Sequence, residues 1–168
     1  MARKRRVYVR RGVDPHLEDP YLRRGGYREP TVCPTCGLVF HDKRWRRDDE
    51  LSHKLHRRKQ TLLQKCPACR KIEDQYPMGI VTLSGHYLPE HLEDIRNLIR
   101  NEEQRGAEKN PLERIIKIEE GERMLVVQTT TESLALRIGR IVFRAHRGSI
   151  DYKFSDREKL VRIDWHRD

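Results

Sequence analysis

Two cysteine pairs constrain this chain more than any other feature: Cys33-Pro34-Thr35-Cys36-Gly37 and Cys66-Pro67-Ala68-Cys69-Arg70. Together they hold all four cysteines, with none left over. Thiolates two residues apart can aim both sulfurs at one ion, and the Pro, with Gly37 in the first pair, shapes the tight turn this needs. Two such turns facing each other make a closed tetrahedral Zn2+ site with Cys33, Cys36, Cys66 and Cys69 as ligands, one ion per chain. Two other uses of paired cysteines compete with this reading. A redox dithiol opens a helix after a strand in a βαβ setting, which neither pair shows in the sequence. Disulfides need an oxidising compartment, and the opening Met1-Ala2-Arg3-Lys4-Arg5-Arg6 lacks the apolar stretch of a secretory signal, so a cytoplasmic protein is expected. Four thiolates leave no open position for water, which makes the site structural rather than catalytic.

Charge names the class of partner. Among 168 residues, 36 Lys/Arg face 26 Asp/Glu, for a net charge of +10. That balance points to a polyanion, and to nucleic acid before any other. Hydrophobic residues make up 36% of the chain and charged residues 37%, which favours small domains over one large core. No stretch has the length of a membrane span, and no basic amphipathic helix with an aromatic face stands at a terminus, so no membrane partner is expected. The positive charge is concentrated: residues 31–70 carry ten Lys/Arg against four Asp/Glu, whereas residues 71–120 carry seven against eleven.

Residues 1–30 read as a disordered basic arm that orders on a partner. Val7, Val9, Val13 and Leu17 are scattered without helical or strand period. Arg3, Lys4, Arg5, Arg6, Arg10, Arg11, Arg23 and Arg24 are candidates for pairing with phosphate, and Tyr27 for stacking on a base. The plainer reading is a solvated tail that keeps the protein soluble. Residues 31–75 form the zinc ribbon. The 29 residues between its knuckles exceed the roughly 15–20 of a compact ribbon, so an element is inserted. Leu38-Val39-Phe40 leaves the first knuckle as a strand. Residues 48–65 are expected to be a helix, opened by Asp48-Asp49-Glu50 and then basic, as the helix dipole prefers. Leu51, Leu55 and Leu62 would pack inward. Lys54, Arg57 and Arg58 would face phosphate, with Arg44, Arg46 and Arg47 just before them. His41, His53 and His56 read as surface or RNA-contacting residues rather than a second metal site.

Residues 76–168 form the α+β domain. The apolar run at 78–83 predicts a buried strand, and residues 89–105 a helix ended by Gly106 with Leu92, Ile95, Leu98 and Ile99 inward. Ile115, Ile116 and Ile118 begin a strand that turns at Gly121 into a second one. Thr130 or Thr131 caps a helix over 132–146 whose apolar face is Leu134, Ile138, Ile141, Val142 and Ala145. Arg137, Arg140 and Arg144 lie on a separate stripe, a phosphate contact or a solvated face. Alternation at 150–154 and 161–165 gives two closing strands. The order β-α-β-β-α-β-β predicts a ferredoxin-like antiparallel sheet with two helices on one face.

From Cys66 onward the chain resembles a known family. The residues that carry the likeness are Cys66-Pro67-Ala68-Cys69, Tyr76-Pro77-Met78-Gly79-Ile80-Val81, Asn110-Pro111-Leu112, Ile118-Glu119-Glu120, Ser133-Leu134-Ala135-Leu136-Arg137-Ile138 and Val161-Arg162-Ile163-Asp164-Trp165. In this order they resemble the archaeal and eukaryotic large-ribosomal-subunit export adaptor, first named in nonsense-mediated decay. The family's longer members carry two sets of zinc-binding cysteines and further domains, so this chain resembles a compact, bacterial-type relative. The resemblance implies a zinc protein that binds ribosomal RNA near the intersubunit face of a ribosomal subunit, acting in assembly, idling or translation control, and monomeric when bound.

No phosphate-cradling glycine loop, nucleophile elbow or zinc-protease motif is present, so no enzyme and no small-molecule substrate are expected. Two other binding classes remain. One is a zinc-ribbon DNA-binding regulator, for which Arg57, Gln60 and Gln64 would have to read bases. The other is a protein–protein adaptor using the acidic region at 90–120.

Overall fold

The computed structural model describes residues 17–168, so Arg3, Lys4, Arg5, Arg6, Arg10 and Arg11 lie outside the described residues. Two sheets divide them. The first has strands β1 (Thr31–Val32), β2 (Val39–His41), β3 (Arg44–Arg46) and β4 (Leu62–Leu63), in the order β3-β2-β1-β4. Helices α1 (Asp49–His56) and α2 (Pro67–Glu73) accompany it. The β2–β3 connection is a two-residue turn with Asp42 and Lys43 both at positive φ, 52° and 61°. Such a turn matches the twist of a hairpin but strains non-glycine residues. Glu29 holds it by accepting the Asp42 and Lys43 backbone N–H groups at 3.2 and 2.8 Å.

The inserted helix is shorter than residues 48–65. Asp48 caps it by accepting the Leu51 N–H at 2.9 Å, and it ends at His56. The chain then turns and enters β4, which pairs parallel with β1 as Thr31↔Leu62 and Val32↔Leu63. The metal knuckles explain the break. β1 runs into Cys33 and β4 toward Cys66, so parallel pairing delivers both to the same end of the sheet. Leu51 and Leu55 pack on Val32 and Val39, as the stripe predicts. Leu62 and Leu63 instead sit on the sheet edge, 40% and 53% exposed.

Residues 17–30 also differ from a free arm. Tyr27 is 9% exposed and packs against Phe40 and Trp45 with ring centroids 5.1 and 5.0 Å away. Burial this deep removes its ring face from any base. Tyr21 donates its hydroxyl to Asp74 at 2.7 Å.

The second sheet is built from β5 (Gly79–Ser84), β6 (Ile115–Gly121), β7 (Met124–Thr129), β8 (Ser149–Phe154) and β9 (Val161–His166), in the order β6-β7-β5-β9-β8. With α3 (Leu92–Lys109) and α4 (Glu132–His146) the element order is β-α-β-β-α-β-β. The sheet is mixed rather than wholly antiparallel, because β9 pairs parallel with β5. The β8–β9 hairpin places β8 on the edge and β9 between it and the central strand β5. Period-two alternation buries one face: Val127, Val81 and Ile163 form one row, Leu125, Leu83 and Trp165 the next. These meet Ile95 and Ile99 of α3 and Leu134, Ile138 and Val142 of α4. Each such side chain contributes about 1.5–3 kcal/mol on burial.

Thr131 caps α4, accepting the Leu134 N–H at 3.3 Å. Ala135 rather than Ala145 belongs to its buried face; Ala145 is exposed. A single 3-10 turn at Pro89–His91 precedes α3, and Gly106 lies inside that helix instead of ending it. A Cβ there would fall 2.4 Å from Arg137 Nη2 and 2.6 Å from Glu113 Oε2. The glycine is a passage for an ion pair, and Asn110-Pro111 ends the helix.

Candidate metal centre

Each knuckle is fixed by its own backbone. In the first, the Gly37 N–H donates to the Cys33 carbonyl at 2.9 Å and the Cys33 N–H to the Leu38 carbonyl at 2.8 Å, with Gly37 at φ 76°. That left-handed conformation suits glycine. In the second, Cys66 caps α2, its sulfur accepting the Cys69 N–H at 3.4 Å. The second pair therefore does open a helix after a strand, a setting the sequence does not signal. It still does not work alone, because the first knuckle faces it.

The four Sγ atoms lie within 4.8 Å of one another, and among the described residues no other set of His, Cys, Asp or Glu gathers in this way. Cys36 Sγ and Cys66 Sγ are 3.7 Å apart, and no disulfide forms. A divalent ion held by four sulfurs at about 2.3 Å needs sulfur–sulfur edges of about 3.8 Å. The cluster fits a tetrahedral metal. Hydrogen bonding to Cys33 raises the Cys66 thiol, burial pushes Cys69 up to about 11, and hydrogen bonds from Cys36 and Cys66 hold Cys33 low. Metal binding takes thiolates, so a cation held here displaces the thiol protons. The aromatic cluster of Tyr27, Phe40 and Trp45, with Leu38 and Ala68, forms the apolar wall behind the sulfurs.

No protein-family model, curated protein or solved structure matches the chain. The site must be read from its own residues. One that the sequence reading missed is Arg114, which donates from Nη2 to Cys36 Sγ at 3.2 Å and from Nη1 to Cys69 Sγ at 3.4 Å. Burial opposes its charge, but the hydrogen bond to Cys36 and the surrounding sulfurs outweigh that and keep it protonated. Its partners lie 78 and 45 residues away in sequence, so no local pattern announces it.

The candidate phosphate contacts fall into distinct groups. Lys54 pairs with Glu50 at 2.6 Å, Arg46 with Asp42 at 3.1 Å and Arg24 with Glu18 at 2.9 Å, all toward the surface. Arg23 lies over the Tyr27 ring at 5.4 Å. Arg137 is neutralised within the fold, 2.5 Å from Glu113 and 3.5 Å from Glu102, both buried carboxylates. Arg140 and Arg144 are exposed on α4. Arg44, Arg47, Arg57 and Arg58 are exposed on the cysteine module and form no ion pair among the described residues, as do Lys43 and Lys59. His53 and His56 bond back to the Asp49 and Ser52 carbonyls of their own helix, at 2.7 and 3.0 Å. No helix among the described residues is long and apolar enough to cross a membrane.

Proposed function

We propose that this chain is an RNA-binding protein built on a structural zinc site, which associates with the ribosome at the large subunit or intersubunit face and acts by occupancy. Zinc suits an all-cysteine, closed, tetrahedral donor set, and its work there is to staple two short elements that bury little core of their own. The observation that carries the nucleic-acid reading is the group Lys43, Arg44, Arg47, Arg57, Arg58 and Lys59. Each is exposed and without a carboxylate partner among the described residues, on the segment pinned between the two knuckles. Cations left unpaired beside a rigid metal staple are ready to release counterions from a phosphate backbone. The ribosomal reading rests on the sequence resemblance from Cys66 onward. In residues 76–168, 16 Lys/Arg balance 16 Asp/Glu and several pair with one another, and a surface neutralised in this way suits docking on a subunit rather than gripping RNA.

Sedimentation of a low-salt cell extract tests the ribosomal reading. The protein is expected to travel with ribosomal particles and to leave them as salt rises. Remaining at the top of the gradient in both growing and starved cells contradicts it. Tighter binding to duplex DNA than to folded RNA would favour the DNA-regulator alternative instead.

A further inference from the structure

The cysteine cluster is completed by a residue from the other half of the molecule. Arg114 immediately precedes β6, and two bonds aim its side chain: its backbone N–H donates to Thr130 Oγ1 at 2.8 Å and its Nε to the Pro111 carbonyl at 3.1 Å. The guanidinium then spans the two knuckles, one N–H reaching Cys36 of the first and another reaching Cys69 of the second. Leu112, two residues earlier, packs against the same cluster. Thr130 in turn donates to the Leu112 carbonyl at 2.6 Å, and its own carbonyl accepts from Lys71 Nζ at 2.9 Å. Lys71 belongs to α2, the helix that the second knuckle opens. A continuous chain of hydrogen bonds thus runs from metal ligands to the α+β sheet.

Four thiolates around a divalent ion form a dianion, and a half-buried guanidinium is its natural counter-charge. The planar fork of arginine reaches two sulfurs at once, which a lysine ammonium cannot do with the same geometry. We propose that Arg114 is a positioning residue of the metal centre, bridging the knuckles so that metal occupancy and docking of the α+β domain strengthen each other. Coupling of this kind is reciprocal: docking raises metal affinity by the factor by which metal raises docking. The cationic face and the sheet domain then keep one fixed geometry only while the metal is bound. The inference rests on the zinc reading above.

The test uses the full chain loaded with zinc. Competition against a chromophoric chelator gives the affinity and release rate for wild type, Arg114→Gln and Arg114→Lys. Arg114→Gln is expected to release zinc about 10–100-fold more readily, the range found when a partner of a metal ligand is removed. Arg114→Lys should recover only part of that loss. Values within twofold of wild type for Arg114→Gln, or full recovery by lysine, overturn the bridging role. Hydrogen exchange on the wild-type chain keeps the idea testable if a variant misfolds. Chelation should deprotect the Arg114 and Thr130 amides while the Val81 and Val127 amides keep their protection, and unchanged Arg114 and Thr130 exchange contradicts the coupling. A wild-type chain that takes up no zinc sinks the metal reading together with this inference; a loaded chain indifferent to Arg114 sinks the inference alone.

Discussion

Lys71 Nζ lies 2.5 Å from Asp19 Oδ2, with the two side chains only 3% and 8% exposed. The pair ties residue 19, ahead of the first knuckle, to the helix that follows the second. Asp19→Asn leaves a buried ammonium without its counter-charge. It is expected to lower stability by roughly 3–5 kcal/mol in urea unfolding. The double variant Asp19→Leu, Lys71→Met should recover much of that loss, because a buried pair exchanged for apolar side chains of similar volume is often neutral. A double variant as unstable as the single one would show that the pair stabilises beyond mutual neutralisation.

Gly106→Ala separates two opposed effects. An exposed helix interior would gain about 1 kcal/mol from alanine. Here the new methyl meets Arg137 Nη2 and Glu113 Oε2 well inside contact distance. Both atoms end side chains that could swing aside, but only by parting the part-buried Arg137–Glu113 pair. Overpacking of this kind costs about 1–3 kcal/mol, so a net loss is expected. Thermal unfolding decides the sign, and a stabilised variant contradicts the passage assigned to Gly106.

His146 gives the sheet domain an acid-side weakness. Burial lowers its pKa below the usual 6.5, with His91 and Arg167 acting in the same direction and Asp94 against them. Its Nδ1 meets the Tyr87 hydroxyl at 3.1 Å. The unfolded chain therefore takes up a proton near 6.5 that the folded chain accepts only at lower pH. Stability falls as pH drops through 6.5 and levels off below the folded pKa. The urea midpoint of wild type should fall more steeply between pH 7.5 and 5.5 than that of His146→Gln; equal slopes contradict the assignment.

How much of this was legible in the sequence depends on the range of the interaction that decides it. The ligand set was legible, because a C-x-x-C pair is local and its count closes on one site. Alternation along 161–166 and the 3.6-residue spacing in α4 were legible for the same reason. Residues 57–65 were not: their local pattern continues a helix, but the need to return Cys66 beside Cys33 makes them a turn and a parallel edge strand. Pairing of β9 with β5 across some eighty residues leaves no trace in either strand alone. The arginine pattern misled most. Arg137 and Arg57 look alike in sequence, yet one is locked to Glu113 and Glu102 inside the fold and the other stands free among the described residues.

Metal removal should act on the cysteine module first. Chelation is expected to abolish the near-ultraviolet signal of Trp45, which packs in the same cluster as the sulfurs, while the Trp165 environment in the sheet core persists. Simultaneous loss of both signals would mean that the two halves unfold as one unit. Tryptophan-to-phenylalanine variants at each position distinguish the contributions.

The proposed RNA grip rests on cations of the cysteine module that have no carboxylate partner among the described residues. The most direct measurement is the salt dependence of binding to a structured ribosomal RNA fragment, for zinc-loaded wild type and for a variant with Arg44, Arg47, Arg57 and Arg58 all changed to Gln. Each phosphate contact contributes about 0.7–0.9 to the slope of log K against log salt, so the variant's slope should be shallower by about 3. A variant that stays folded and zinc-loaded yet keeps the wild-type slope and affinity contradicts the claim.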